Sequence, residues 1–148
     1  MKNINPLQKE LALVKKLIKD EIIEEKTISD LYKYIFKSDG KKLRAKVGLI
    51  TSSLNRKKNK KRLKLAAIIE LLHTATLVHD DVVDESQTRR GIKSVNNLWS
   101  NAHGVLIGDY IYSKAFILMV EVGESKILHE LANATNDISK GELIQLDA

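Results

Sequence analysis

Apolar side chains recur along this chain at intervals of three and four, the spacing that gathers them on one side of an α-helix. Leu7, Leu11, Val14, Ile18 and Ile22 make the first stripe, with Asn5-Pro6 as cap and first helical residue, so a helix is predicted over 6–25. A short helix follows Ser29 and carries Leu31, Ile35 and Phe36. Ser38-Asp39-Gly40 reads as a turn, and Leu43, Val47, Ile50 and Leu54 place a helix over 42–54. The strongest segment is 61–88, apolar on most sides between Leu65 and Val83, with Gly91 able to end it. A helix apolar nearly all round belongs at the centre of a bundle. Residues 102–122 form another apolar helix stopped by Gly123. Ser125 can cap a last one, with Ile127, Leu131, Ala134, Ile138 and Leu143 in register. No sustained period-two alternation occurs, so the predicted class is all-α with no sheet.

Composition changes this picture little. The 148 residues suffice for one domain with its own core, and there is no cysteine, which fits a reducing cytoplasm. No run is long enough to span a membrane and the start lacks an apolar signal core, so a soluble, cytoplasmic protein is expected. The last helical pattern reaches Asp147-Ala148 without a stop signal, which reads as a structure cut part-way. The net charge of +6 is mostly lysine, since arginine occurs only at 44, 56, 62, 89 and 90. The basic run Asn55–Arg62 has no interleaved aromatic residues, so it is expected to be a solvated inter-helix loop and not a nucleic-acid site.

Charge at particular positions says more. Asp80, Asp81 and Asp84 form a D-D-x-x-D pattern inside an apolar helix, between Leu77-Val78 and Val82-Val83. At 100° per residue, His73, Asp80 and Asp84 fall within about 40° of one another. Carboxylates one turn apart suit Mg²⁺, which takes one or two protein oxygens and completes its shell with water and phosphate. Arg89-Arg90 follow closely, and guanidinium groups bind phosphate oxygens bidentately. In Gly40-Lys41-Lys42-Leu43-Arg44, a glycine turn leads into a helix whose first turn is basic. A helix dipole disfavours cations there, whereas free N–H groups plus Lys41 and Arg44 make an anion site. The inventory suits two phosphorylated substrates, one held through metal and one held directly.

These segments resemble the trans-isoprenyl (polyprenyl) diphosphate synthases, in particular the long-chain, octaprenyl-like branch. Asp39-Gly-Lys-Lys-Leu-Arg-Ala45 resembles the family's G-G-K-R-[LI]-R-P, with Asp39 for the first glycine and Ala45 for the proline. Glu70–Ser86 with Arg89-Arg90-Gly91 resembles its first aspartate-rich region. Val105–Phe116 resembles its V-L-x-G-D-[FY]-[LI]-x-x-[RK]-A-F helix, and Gly141-Glu-Leu-Ile-Gln145 its G-E-x-x-Q. Ser100 replaces a glycine usual after Trp99.

The resemblance implies a helical bundle of the isoprenoid synthase type, of which residues 1–148 would be the N-terminal part. It implies that Lys41, Arg44, His73 and Arg90 bind isopentenyl diphosphate. Asp80 and Asp84 would hold Mg²⁺ against an allylic prenyl diphosphate, with Asp81 supporting them and Arg89 contacting the same diphosphate. Ala75 and Thr76, one turn below the aspartates, would set product length, and their small size would leave the elongation path open. The implied activity is a prenyltransferase of isoprenoid and quinone side-chain biosynthesis, with a homodimer or a separate C-terminal half as partner. The family's second aspartate-rich motif has no counterpart in these 148 residues. Two further readings are a non-catalytic subunit of a heteromeric synthase and an all-α metal phosphohydrolase using His79-Asp80. Intact Asp80, Asp81 and Asp84 argue against the first. The second lacks a further histidine in place, because His73 lies about 120° from His79 around the helix.

Overall fold

The computed structural model describes residues 6–19, 25–37 and 60–148. Helices α1 (Pro6–Lys19), α2 (Lys26–Phe36) and α3 (Lys60–Val83) come first. A small hairpin of β1 (Thr88–Arg89) and β2 (Ile92–Lys93) follows. Then come α4 (Val95–Leu98), α5 (Asn101–Val122) and α6 (Ser125–Asp147). The predicted helix over 42–54 and the last residues of the first one lie outside the described residues.

Three local expectations change. The second helix begins at Lys26, ahead of Ser29, whose N–H already bonds the Glu25 carbonyl at 3.0 Å. Glu124, and not Ser125, occupies the cap of α6, without a side-chain bond. The central helix stops at Val83 instead of 88. Glu85 takes a left-handed φ of 53°, and the Ser86 N–H turns back to the Asp81 carbonyl at 2.9 Å. A left-handed residue past the last turn satisfies the helix's orphan carbonyls.

The released chain forms the hairpin, contrary to the expectation of no sheet. Thr88 pairs with Lys93 and Arg89 with Ile92. Arg90 and Gly91 make the turn, with φ of 53° and 80°, the two left-handed residues that a tight hairpin needs. Strands of two residues are too short to show a period. Side chains hold this excursion down. Ser94 donates to the Ser86 carbonyl at 2.7 Å, Asn96 to the same oxygen at 2.9 Å, and Asn97 to the Gln87 carbonyl at 3.0 Å. The Tyr34 hydroxyl donates to the Lys93 carbonyl at 2.6 Å, and the Tyr34 ring meets Trp99 edge-on.

The core joins α1, α3 and α5. Ile68, Leu71 and Ala75 from α3, Ile111 and Ala115 from α5, and Val14 from α1 are completely buried in it. The two long helices approach most closely at Gly104 and Gly108. A Cβ at 104 would stand 2.6 Å from a Val82 methyl, and one at 108 would stand 2.3 Å from the His79 ring. Glycine is needed at both points, and the contact fixes the acidic end of α3 against α5. The basic run also differs from a solvated loop where it is described. Arg62 is buried and pairs with Glu10, while Lys61 reaches Glu124 at 3.1 Å. Among the described residues no helix is long and apolar enough to cross a membrane.

Candidate active site

Asp80, Asp81 and Asp84 sit at the C-terminal end of α3. The helix dipole is negative there, so a carboxylate is disfavoured both by the dipole and by its neighbours. Asp84 lies one residue past the helix, yet its N–H still bonds the Asp80 carbonyl at 2.8 Å. Helical spacing therefore persists between Asp80 and Asp84. Both act on a residue far away in the chain, Glu142 of α6, which hydrogen-bonds with Asp80. Burial first, then the Asp80 bond and the charges of Asp80 and Asp84, push the Glu142 carboxyl up to about 7. In the sequence Glu142 stands within G-E-x-x-Q, with nothing local to tie it to Asp80. Its signal was an acid set beside Leu143 on an otherwise apolar stripe.

Asp81 does something else. It is 4 % exposed, and both its oxygens are taken by Arg89, through Nε at 2.8 Å and a terminal nitrogen at 2.8 Å. This bidentate bond is the largest cause raising the Arg89 pKa, with burial opposing it and the Asp80 and Asp84 charges adding to it. Asp81 thereby orients a permanently charged guanidinium beside the other two acids. The hairpin is what makes this possible, because it folds the chain back after α3. Arg90 occupies the exposed hairpin turn.

His73 lies two turns before Asp80 on α3, half-buried and with an interaction of its own. Lys41 and Arg44 lie outside the described residues. Ala75 is fully buried in the core, whereas Thr76 is half-buried and faces Tyr112 of α5, with the two hydroxyl oxygens 2.9 Å apart. His79 is held by the Val105 carbonyl at 3.0 Å and by Asp109 at 3.3 Å, which directs it towards α5.

Among the described residues no three His, Asp or Glu side chains form a metal cage by themselves. The site instead offers carboxylate oxygens, and burial together with the neighbouring Asp80 and Asp84 holds a proton on Glu142 near neutrality. That donor set fits a hard divalent cation that completes its shell with water and phosphate. Arg89 stands ready for a further anionic oxygen on the same ligand.

Residues 25–148 match the family model described as polyprenyl synthetase. The chain belongs to the polyprenyl synthetase family. Octaprenyl diphosphate synthase of Escherichia coli K12 is 41% identical over 119 residues, covering 80% of this chain and 37% of that protein. The all-trans-nonaprenyl-diphosphate synthase (geranyl-diphosphate specific) of Rhodobacter capsulatus is 38% identical over 145 residues, covering 97% of this chain and 45% of that one. The crystal structure of a decaprenyl diphosphate synthase from Rhodobacter capsulatus superposes with a TM-score of 0.90 at 39% identity, over 96% of this chain and 44% of that one. A polyprenyl synthase from Caulobacter crescentus CB15, complexed with calcium and isoprenyl diphosphate, gives 0.88 at 40% identity, over 94% and 43%. A divalent ion thus occurs with a prenyl diphosphate in another structure of this fold. The polyprenyl synthetase chain described here has the all-α isoprenoid synthase fold, and it spans less than half the length of these relatives.

Proposed function

We propose that this chain carries the allylic-diphosphate half of a trans-polyprenyl diphosphate synthase, which condenses isopentenyl diphosphate with an allylic prenyl diphosphate. The observation that supports this most is the division of labour at the end of α3. Glu142 hydrogen-bonds with Asp80 and feels the charge of Asp84, while Asp81 spends both oxygens on Arg89. Acids for a cation and a fixed guanidinium for an anion lie side by side, as a metal-bound diphosphate requires.

In this reading Asp80 and Asp84 hold Mg²⁺, and Glu142 releases its proton as the cation arrives. The bound ion supplies charge neutralisation for the departing diphosphate. Arg89, aimed by Asp81, takes part of the same charge as the allylic carbon–oxygen bond breaks. The double bond of isopentenyl diphosphate attacks the allylic carbon, and loss of a proton leaves a product one unit longer. Lys41, Arg44, His73 and Arg90 serve the isopentenyl diphosphate, and Ala75 and Thr76 lie at the level of the growing tail. The protein partner proposed is a second copy, as in a homodimer, or a separate C-terminal half that supplies the length the relatives have beyond this chain. A cytoplasmic setting fits a chain without cysteine.

Calorimetry with farnesyl diphosphate tests the site directly. Binding is expected to require Mg²⁺ and to fall by about ten- to a hundredfold in Asp80→Asn, as expected when a charge-assisted contact is lost. Metal-independent binding, or binding unaffected by Asp80→Asn, would sink the reading. Incorporation of labelled isopentenyl diphosphate is expected only when a C-terminal half is supplied separately. Incorporation by the chain alone would remove the need for that partner.

A further inference from the structure

Between Asp81 and Ser86 the chain leaves α3, carries Asp84 and turns back on itself. The Asp84 N–H bonds the Asp80 carbonyl at 2.8 Å, and the Ser86 N–H closes onto the Asp81 carbonyl at 2.9 Å. Asp84 is exposed and stands just beyond the last residue of α3. Helix ends fray, and here the negative end of the dipole and the like charges of Asp80 and Asp84 push the segment open. Its helical register therefore needs an outside support.

One side chain spans the segment. Asn96 of α4 donates from Nδ2 to the Asp81 carbonyl at 3.3 Å and to the Ser86 carbonyl at 2.9 Å, the two ends of the turn. Neither carbonyl depends on it. The Asp81 oxygen already accepts from the Ser86 N–H, and the Ser86 oxygen already accepts from the Ser94 hydroxyl at 2.7 Å. The Asn96 Oδ1, meanwhile, is buried without a hydrogen-bond partner among the described residues, and an unpaired buried acceptor is costly. Satisfying polar groups is thus not what an amide at 96 provides. It provides a brace, in which one planar group fixes the two carbonyls that flank Asp84. The brace is itself anchored against α5 where that helix lacks a side chain, since a Cβ at Gly104 would stand 3.7 Å from the Asn96 Cβ.

We propose that Asn96 is a positioning residue for the metal site, holding Asp84 in the register that lets it share a cation with Asp80. This rests on the Mg²⁺ and diphosphate site proposed above. Asn96 acts through the backbone on either side of Asp84, and Ser94 shares the task at Ser86 alone. A serine at 96 would supply one proton and an aspartate none, so the brace requires an amide.

Mg²⁺ demands near-ideal octahedral geometry whereas Ca²⁺ accepts a flexible shell, so the two ions separate a misplaced carboxylate from a general loss of structure. The affinity of a non-ionisable farnesyl diphosphate analogue, measured on the full chain with each ion in turn, reads the difference. Asn96→Ala is expected to weaken Mg²⁺-supported binding by about tenfold, the lower end of what losing the partner of a metal ligand costs. Ca²⁺-supported binding should fall by no more than about twofold, because the looser shell follows a displaced oxygen. Ser94→Ala, which removes the other side-chain donor to Ser86, is expected to shift the Mg²⁺ over Ca²⁺ ratio the same way by a smaller factor. It decides the matter if Asn96→Ala does not fold. A ratio unchanged or shifted towards Mg²⁺ in Asn96→Ala, or in Ser94→Ala where the first variant is unfolded, overturns the positioning role. If the wild-type chain binds the analogue with neither ion, the diphosphate site itself is wrong and this inference falls with it. Wild-type binding with an unaltered ratio in the variants leaves that site standing and removes Asn96 alone.

Discussion

Helices α5 and α6 are 22 and 23 residues long and both carry apolar stripes, yet they are used very differently. Helix α5 buries Ile107, Ile111, Ala115, Leu118, Met119 and Val122, whereas α6 buries no residue at all. Leu143, Ile144 and Leu146 of α6 are each more than three-fifths exposed. A period of apolar residues shows which side of a helix is able to pack. It does not show whether the partner for that side belongs to the same chain. Helix α6 nonetheless meets the acidic end of α3, because Glu142 hydrogen-bonds with Asp80 from a helix that is otherwise barely packed.

The widest separation between the two helices should appear on truncating one isoleucine in each. Ile111→Ala removes completely buried methylenes and is expected to destabilise the fold by about 2–5 kcal/mol in urea unfolding. Ile144→Ala, at a residue 63% exposed, should stay within about 0.5 kcal/mol. Equal losses would mean that α6 is packed in solution.

Adding a methyl group sharpens the contrast with opposite signs. In Gly108→Ala the new carbon meets the His79 ring at 2.3 Å, so a loss of about 1–3 kcal/mol and a lower melting temperature are expected. Gly141→Ala meets nothing within 4 Å in mid-helix and should raise stability by about 0.5–1 kcal/mol. A stabilising Gly108→Ala would show that the helices do not approach this closely.

The third contrast concerns the link between the regions. Glu142 holds its proton up to about 7 in the folded chain, against 4.5 for the ordinary group. The folded state therefore binds more protons between those values. Without metal, the Glu142 contribution to stability is full below pH 4.5 and is lost as pH rises towards 7. Mg²⁺ requires the ionised acids, so its affinity should rise by about tenfold from pH 6 to 8, with close to one proton released per ion bound at pH 6 and almost none at pH 8. Calorimetry in two buffers of different ionisation enthalpy reads both quantities, and Glu142→Gln should flatten the profile. A profile unchanged in Glu142→Gln would separate α6 from the site.

Much of this was legible in the chain itself. The stripes foretold α1, α3, α5 and α6, and the Asp80–Asp84 spacing survived even though α3 ends before Asp84. What stayed hidden depends on where the chain reverses. Asp81 looked like a third member of an acidic site because angle around one helix says nothing of the hairpin that returns Arg89 to it. Glu142 was invisible as a partner of Asp80 because their meeting joins two helices through tertiary packing. The Tyr112 neighbour of Thr76 stayed hidden for the same reason, since that ring comes from α5.

The hairpin turn has a consequence for any attempt to make this protein sturdier. Arg90 sits in the left-handed region at φ 53°, where a side chain other than glycine or asparagine is strained by about 1 kcal/mol or more. Selection for thermal endurance alone would favour replacing it, and Arg90→Gly is the change a stability screen should return. That variant is expected to fold better and, on the role proposed for Arg90, to lose the guanidinium offered to isopentenyl diphosphate. On that role, stability and substrate binding pull in opposite directions at residue 90, and a library screened only for survival on heating would select against the proposed site.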